Sequence, residues 1–498
     1  MNKSLIATLI LAIFLAAISC DDREFLGVDL QDIDSGDFFS NETAFDRGVL
    51  GIYQKLVFFY NYRGANWLHD IRILPDDDAT TAGNNAFEIF GNLNAANGDM
   101  DDYYRFAYQL IARSNTLLEK QDELGDEIYT DNDLRNTHRG EALFLRGYMN
   151  FMLWNIYGTA PLVLDRITTS DGFFPPSSTG NELLNQAITD LNEAKDLLPD
   201  SWPPEMIGRA DRHAANGMLG KALLYRATVT GNNEDYAAAI QAFERIQDHS
   251  LLPIYGDNFD EQLENGVESI FEIQLGQNLQ NDNVWLSNDD FDVVGEISGY
   301  WGFFDNNFGQ FGTPIYTATE PLMAIFDDGD PRISSTFDPG TSEIKKYVER
   351  PRSTGNPNYY NNARVIRYAD ILLMKAEALV QSGGDLSEAI SLLNQVRARA
   401  RNSGETVSEV PADLNTGETD RNTVMQWVMD ERRRELAFEE IRWFDLRRWH
   451  LGGMINIGDI DFGSVRNDFN FNPDVHIYFP LPASQVVDNP NLVQNPGY

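Results

Sequence analysis

The sequence predicts a mostly α protein, a scaffold of helix–turn–helix repeats that carries long loop and short-strand insertions, and three observations predict it. Gly140-Glu141-Ala142-Leu143, Gly220-Lys221-Ala222-Leu223 and Ala376-Glu377-Ala378-Leu379 share a pattern of small residue, charge, Ala and Leu. Each lies in a proline-free stretch of helical period. Each is near a turn and a second amphipathic segment, at 183–198, 236–246 and 386–399, where Ala239 with Phe243 and Ala389 with Leu393 share one face. The spacing is irregular, 80 residues from Gly140 to Gly220 and 156 from Gly220 to Ala376, so long insertions interrupt the repeats.

In chain order, Lys3 precedes an apolar run over 5–18, followed by Ser19 and Cys20. The run is short for a bilayer span and suits a signal peptide over 1–19. Cys20 is the single cysteine, and the small residues before it resemble the lipobox of bacterial lipoproteins. Lipidation of Cys20 and membrane anchoring are therefore expected, with 20–498 as the mature domain. Repeat helices are expected at about 42–60 and 103–120, 136–157 and 181–198, 211–230 and 234–248, and 364–381 and 385–401. This arrangement resembles tetratricopeptide repeats, which stack to share a core. The insertions fall at about 61–100 and 252–361, where Gly, Asn, Asp and aromatic residues replace the helical period. Long insertions on a rigid scaffold carry binding function.

The formal charge is −39, from 77 acidic against 38 basic side chains. Such a surface repels phosphate backbones, so nucleic acid is not an expected partner, and neutral polymers are favoured over sulfated or uronic ones. Lys345, Lys346, Arg350 and Arg352 form a local basic group that reads as a solvated loop. The run Asp76-Asp77-Asp78 could hold calcium with Asn84 or Asn85, but with 77 carboxylates such a run is expected by chance. No metal or cofactor is assigned.

The C-terminal fifth is more specific. The run Asp430-Glu431-Arg432-Arg433-Arg434-Glu435-Leu436-Ala437-Phe438-Glu439-Glu440-Ile441-Arg442-Trp443-Phe444-Asp445-Leu446-Arg447-Arg448-Trp449 resembles the hallmark segment of the SusD/RagB family. So do Arg367-Tyr368-Ala369-Asp370-Ile371-Leu372-Leu373-Met374-Lys375-Ala376-Glu377-Ala378, the close Tyr478-Phe479-Pro480-Leu481-Pro482 and the end Gln494-Asn495-Pro496-Gly497-Tyr498, which give a signature region of 430–498. The resemblance implies a surface-exposed outer-membrane lipoprotein that binds oligo- or polysaccharide and hands it to a SusC-like TonB-dependent transporter. Asp21, Asp22 and Glu24 look like the short acidic tag that sends such lipoproteins to the cell surface. Read by itself, 430–449 is a charged helix in which Glu431 faces Arg434 and Glu439 faces Arg442, and Trp154, Trp427, Trp443 and Trp449 are packing residues.

A glycan platform needs flat rings for sugar C–H faces, with amides, carboxylates or guanidinium groups beside them. The insertions offer Trp67 with Asp70 and Arg72, Trp285 with Asn288 and Asp289, and Tyr300 with Trp301. Trp67, Asp70, Arg72, Trp285, Asn288, Tyr300 and Trp301 are the expected ligand contacts, whereas Phe303 and Phe304 are expected to pack inward. A laminarin-like β-glucan is the favoured ligand. A peptide-binding or purely structural partner of the transporter is the rival within the fold. A surface glycosidase with paired carboxylates is the rival class, but no Gly-x-Ser-x-Gly, His-Glu-x-x-His or P-loop pattern occurs, and the six histidines lack ligand spacing. No enzymatic activity is expected.

Overall fold

The computed structural model describes residues 38–60, 68–83, 85–275, 301, 304, 316–348, 361–463 and 468–498. Cys20 and the apolar run before it lie outside these residues, as do Trp67, Trp285, Asn288 and Tyr300. Among the described residues, no helix is long and apolar enough to cross a membrane.

Ten helices of ten or more residues stand among the described residues: α1 Glu42–Val57, α2 Gly98–Ile128, α3 Asn132–Ile156, α4 Glu182–Leu197, α5 Arg212–Thr230, α6 Asn233–Glu244, α7 Tyr368–Gln381, α8 Leu386–Arg401, α9 Arg421–Leu436 and α10 Arg442–Leu451. Their starts have a local cause. Asn41, Asn97, Asp131, Asp211, Asn232, Asp385 and Asp420 each accept a backbone N–H of the first turn, satisfying donors that have no helical partner. The cap at Asn97 lets α2 run for 31 residues, well beyond the expected 103–120.

Successive helices pack as a stack, α2 on α3, α3 on α4, α4 on α5, α5 on α6, α6 on α7 and α7 on α8. The small residues of the repeated motif permit the close approach. A Cβ on Gly140 would lie 2.9 Å from Leu198 Cγ, and one on Gly220 would lie 2.3 Å from Phe243 Cε1. One continuous apolar core joins the first repeats, the insertions and the C-terminal tail, and a smaller one lies among α7, α8 and α9. Trp154, Trp443 and Trp449 are buried, and Trp427 is half-buried against the smaller core.

Two short antiparallel sheets complete the fold. Strand β1 (Ala79–Thr81) pairs with β3 (Tyr316–Ala318), placing Ala79 opposite Ala318, and β2 (Ser269–Ile273) pairs with β4 (Ala363–Arg367) through a bulged register. Strand β4 occupies the start of the expected helix at 364–381, because its alternating side chains pack against β2 and α5.

The segment 430–449 is not one helix. Helix α9 stops at Leu436 and α10 begins at Arg442, and between them Phe438 and Glu440 adopt left-handed backbone with φ of 62° and 61°. Non-glycine residues hold that conformation only when their surroundings over-determine it. Here Phe438 lies 6.0 Å from the Phe304 ring, Glu439 pairs with Arg367 and Lys346, and Glu440 pairs with Arg72.

Candidate ligand platform and its buried anchor

The two insertions are joined to each other. Beyond the β1–β3 pairing, the Tyr316 hydroxyl of the second insertion donates to Asp70 of the first, and the Asn85 amide donates to the same carboxyl. Asn85 also accepts from Phe87 N–H (2.9 Å), so one side chain caps a short helix and braces the junction. Thr319 donates its hydroxyl to the Asp77 carbonyl at 2.6 Å and its N–H to the Asp78 carbonyl at 3.0 Å.

The described residues that flank 61–67, 276–300, 305–315 and 349–360 converge on this junction. His69 meets Tyr316 edge-on at 5.3 Å, Tyr316 lies 6.1 Å from Phe304, and Phe304 lies 5.7 Å from Trp301. Trp301 stacks on Tyr347 at 3.8 Å and donates Nε1–H to the Asn361 carbonyl at 2.9 Å. Next to it, Asn362 accepts the Leu275 N–H at 2.8 Å. Tyr60 lies under the Arg72 guanidinium at 4.3 Å.

This geometry changes the role of three expected contacts. Asp70, Arg72 and Trp301 are 3%, 1% and 1% exposed, so they are buried at the junction and do not form an open platform. Burial pushes the Asp70 carboxyl well above the usual range, and the nearby Asp99 adds to the shift. Arg72 donates to the Phe59 carbonyl at 2.8 Å and pairs with Glu440 at 3.1 Å. Glu440 is itself pushed up to about 7 by burial, against the pull of Arg72. The physical reason is common to all three: a polar group or indole N–H inside an irregular insertion finds its partners within the protein. Phe304 is buried, in line with its expected inward packing.

What fixes the insertions to the repeats is a set of buried ion pairs centred on the C-terminal signature. Glu435 on α9 receives Arg367 (2.7 Å), Arg332 (3.2 Å) and Arg399. Arg367 also holds Glu268 and Glu439 at 2.7 and 2.8 Å, Arg332 holds Asp330 and Glu431 at 2.8 and 2.7 Å, Lys346 holds Glu439 at 2.8 Å, and Arg397 holds Glu431 at 2.7 Å. Five cations thus meet five carboxylates, so the group is neutral overall. Burial pushes the Glu435 carboxyl up, but Arg399, Arg367 and Arg332 outweigh it and hold it at about 2. Lys346 is the opposite case, drawn down to about 8 because desolvation exceeds the pull of Glu439.

A second group joins α5, α7, α9 and α10. Arg432 bridges Asp370 (2.8 Å) and Asp445 (2.7 Å), Lys221 pairs with Asp370 (3.2 Å), and Arg448 pairs with Asp445 (2.8 Å) and Glu377. Burial raises the Asp445 carboxyl, but Arg432 and Arg448 prevail and hold it at about 2. A third group binds the first insertion. Arg442 and Arg433 hold Asp77 at 2.7 and 3.0 Å, and Arg433 holds Asp78 at 2.8 Å.

These pairs correct the readings of Lys346 and of Arg442, and they assign partners to Asp77, Asp78 and Glu431. Asp77 and Asp78 are neutralised by guanidinium groups, so with Asp76 they form an anchor and not a calcium loop; among the described residues no group of three or more His, Cys, Asp or Glu is arranged to hold a metal. Lys346 is fully buried in an ion pair and does not belong to a solvated loop. Arg442 turns to Asp77, not Glu439, because the break after Leu436 separates the two onto different elements. Glu431 does lie 3.6 Å from Arg434, but its shorter bonds go to Arg332 and Arg397. Glu268, Asp330 and Arg332 were not singled out in the sequence. The only local signal for them is a charge beside apolar residues, which surface loops share.

The scaffold and its joined insertions define the class as a helical-repeat protein with a two-part inserted face. Two family models match the chain, one described as SusD family over residues 327–498 and one described as starch-binding associating with outer membrane over residues 25–224. SusD-like protein P2 of Formosa agariphila is 26% identical over 438 residues, 81% of each chain. The structure of a SusD superfamily protein from Bacteroides vulgatus superposes with a TM-score of 0.71 at 25% identity, covering 93% of this chain and 100% of that one. A laminarin-binding SusD-like protein shares the fold, with a TM-score of 0.71 at 24% identity and coverage of 92% and 100%. The chain belongs to the SusD/RagB family.

Proposed function

We propose that the protein is a cell-surface lipoprotein, anchored through Cys20, that captures oligo- or polysaccharide on the joined insertions and delivers it to a SusC-like TonB-dependent transporter without performing chemistry on it. The observation that carries this reading is the convergence of the insertion flanks on the Asp70–Tyr316 junction. It gives segments far apart in sequence a common base, as a binding face requires. The family model described as starch-binding and outer-membrane-associated supports the ligand class and the location. Trp67, Trp285, Asn288 and Tyr300 supply the rings and amide that meet sugar, and Asp70, Arg72 and Trp301 brace the buried junction. The net charge of −39 favours a neutral glycan, with a laminarin-like β-glucan the first to try.

The test is a binding screen of the purified protein against neutral and acidic polysaccharides and a peptide mixture, with analysis for released product. Binding to one glycan class without product is expected. Trp67→Ala and Trp285→Ala should each weaken it by about 1–3 kcal/mol, by analogy with base stacking on aromatic rings. Unchanged affinity in both variants removes the site assignment, released product makes the protein an enzyme, and peptide binding that survives the substitutions replaces glycan with peptide. Recovery of a large TonB-dependent transporter with the membrane-extracted protein checks the delivery step.

A further inference from the structure

The loop between α4 and α5 and the turn before β2 meet side by side, and both present aliphatic side chains to solvent. Met206 and Ile207 are 38% and 52% exposed, and Leu263 and Val267 are each 43% exposed. Gly208 brings the two together: its φ is +99°, and a Cβ there would lie 2.4 Å from Gln274 Cδ. The Gln274 side chain in turn exchanges two hydrogen bonds with the Asn265 side chain, each 2.9 Å. The four aliphatic side chains thus belong to two touching stretches and are not scattered singly over the surface. Neither stretch is loose. Met206 N–H donates to the Pro203 carbonyl at 2.9 Å, and Trp202, whose ring centre lies 4.6 Å from Arg209 Cζ, donates Nε1–H to the Ala210 carbonyl at 2.9 Å. Arg209 holds Glu141 and Asp46 at 2.6 and 2.7 Å, which pins the loop to α3 and α1. In the turn, Asn265 N–H donates to Glu272 at 3.1 Å, and Asn362 N–H donates to Glu264 at 2.6 Å. A surface fixed in advance loses little conformational entropy when a partner covers it.

The charge of the surroundings selects the partner. Glu205, Asp257, Asp260, Glu261 and Glu264 are the charged residues of 201–208 and 257–267, and none of them is buried. No Lys or Arg occurs in either stretch, and the adjoining Arg209 and Arg364 are committed to Glu141 and Glu272. A second copy of this chain, at a net charge of −39, meets like charge there. Residues 21–37, with seven acids against one Arg, are repelled too, as are anionic lipid headgroups. Aliphatic side chains bordered by Lys or Arg satisfy both the apolar centre and its acidic rim.

We infer that Met206, Ile207, Leu263 and Val267 form a docking surface for a partner protein, which covers them with aliphatic side chains and sets Lys or Arg against the surrounding carboxylates. The inference does not depend on the glycan reading. Its test is titration of the purified protein with a synthetic peptide of leucine and lysine only, whose leucines line one helical face, beside a peptide with serine in place of leucine. The leucine peptide should bind saturably, and the serine peptide about tenfold more weakly. Ile207→Asp/Leu263→Asp should lower affinity for the leucine peptide about tenfold although it adds negative charge, with melting temperature and glycan affinity at wild-type values. Glu205→Gln/Glu261→Gln, which leaves the aliphatic residues in place, should weaken binding about threefold and reduce its salt dependence. Equal or tighter binding by the Asp variant, or equal binding of the two peptides, overturns the inference, because charge alone then accounts for the contact. Loss of glycan affinity in the Asp variant overturns it by assigning the patch to the glycan face. Binding of phosphatidylglycerol vesicles that the Asp variant loses overturns it by replacing protein with membrane. An unfolded Asp variant leaves the Gln variant to decide, and unchanged affinity there overturns the inference.

Discussion

The repeat stack and the C-terminal signature are equally buried but are held by opposite chemistry. Between α3 and α6 the contacts are mainly apolar and steric, with Gly140 and Gly220 admitting Leu198 and Phe243 against the helix backbone and only isolated ion pairs such as Arg146–Asp190 among them. Around Glu435 the interior is ionic, with Arg332, Arg367, Arg399, Arg397 and Lys346 against Asp330, Glu268, Glu431, Glu435 and Glu439. Apolar burial contributes net stability roughly in proportion to area and tolerates small shifts. A balanced buried ion lattice contributes little net stability over an apolar replacement, yet losing one partner strands the rest. The stack therefore supplies most of the stability, and the signature fixes where the insertions sit on it. Its partners show this directly: Arg433 and Arg442 hold Asp77 and Asp78, and Glu440 holds Arg72, all in the first insertion.

Three experiments sharpen the contrast, in order of expected size. Glu435→Ala leaves three buried guanidinium groups short of a carboxylate and should destabilise the protein by about 3–5 kcal/mol in urea unfolding; a loss under 1 kcal/mol would mean that water or rearranged carboxylates replace the lattice. Gly220→Ala forces a methyl group against Phe243 in the apolar stack and should destabilise by about 1–3 kcal/mol, with no change in the pH dependence of unfolding. A neutral or stabilising result would show that the stack has slack.

The smallest effect, taken per group, is the pH dependence of the lattice. Glu435 and Asp445 are held at about 2 in the folded protein, below their unfolded values of 4.5 and 3.8. The unfolded chain therefore binds more protons as the solution is acidified, so their stabilisation is complete above the unfolded pKa and is lost as pH falls toward 2. Between pH 4.5 and 3.5 Glu435 should remove roughly 1 kcal/mol and Asp445 roughly half as much. Glu141 in the stack shifts the other way, to about 7, because burial outweighs Arg209. Its contribution is largest below 4.5 and is lost as pH rises through 7. Urea unfolding from pH 7.5 to 3.5 checks both signs: Asp445→Asn should flatten the acid limb, and an unchanged limb would remove Asp445 from the account.

Much of the fold was legible from local signals. The Ala-Leu motifs, the small residues that precede them and the i, i+4 spacing of apolar residues located the repeat helices, because helix formation depends on neighbours within one turn. The end of α9 was not legible: nothing in Leu436-Ala437-Phe438-Glu439-Glu440 is a glycine or proline, and the left-handed backbone at Phe438 and Glu440 is imposed by Phe304, Arg367 and Arg72. For the candidate face, the sequence pointed to 61–100 and 252–361, and within them Asp70, Arg72 and Trp301 turn inward, since a residue type beside Asn and Gly carries no record of which side of a loop faces water.

The sequence by itself determined the helical class, which rests on periodicity over short windows, and carried the family signature as a resemblance of short motifs. The tertiary structure alone decided the partners of the charges. Arg367 reaches Glu439 across 72 residues, Arg332 reaches Glu435 across 103, and Arg442 reaches Asp77 across 365. Of 77 acidic and 38 basic side chains, any could pair in water at little gain. Only burial, which penalises every unpaired charge, selects one arrangement.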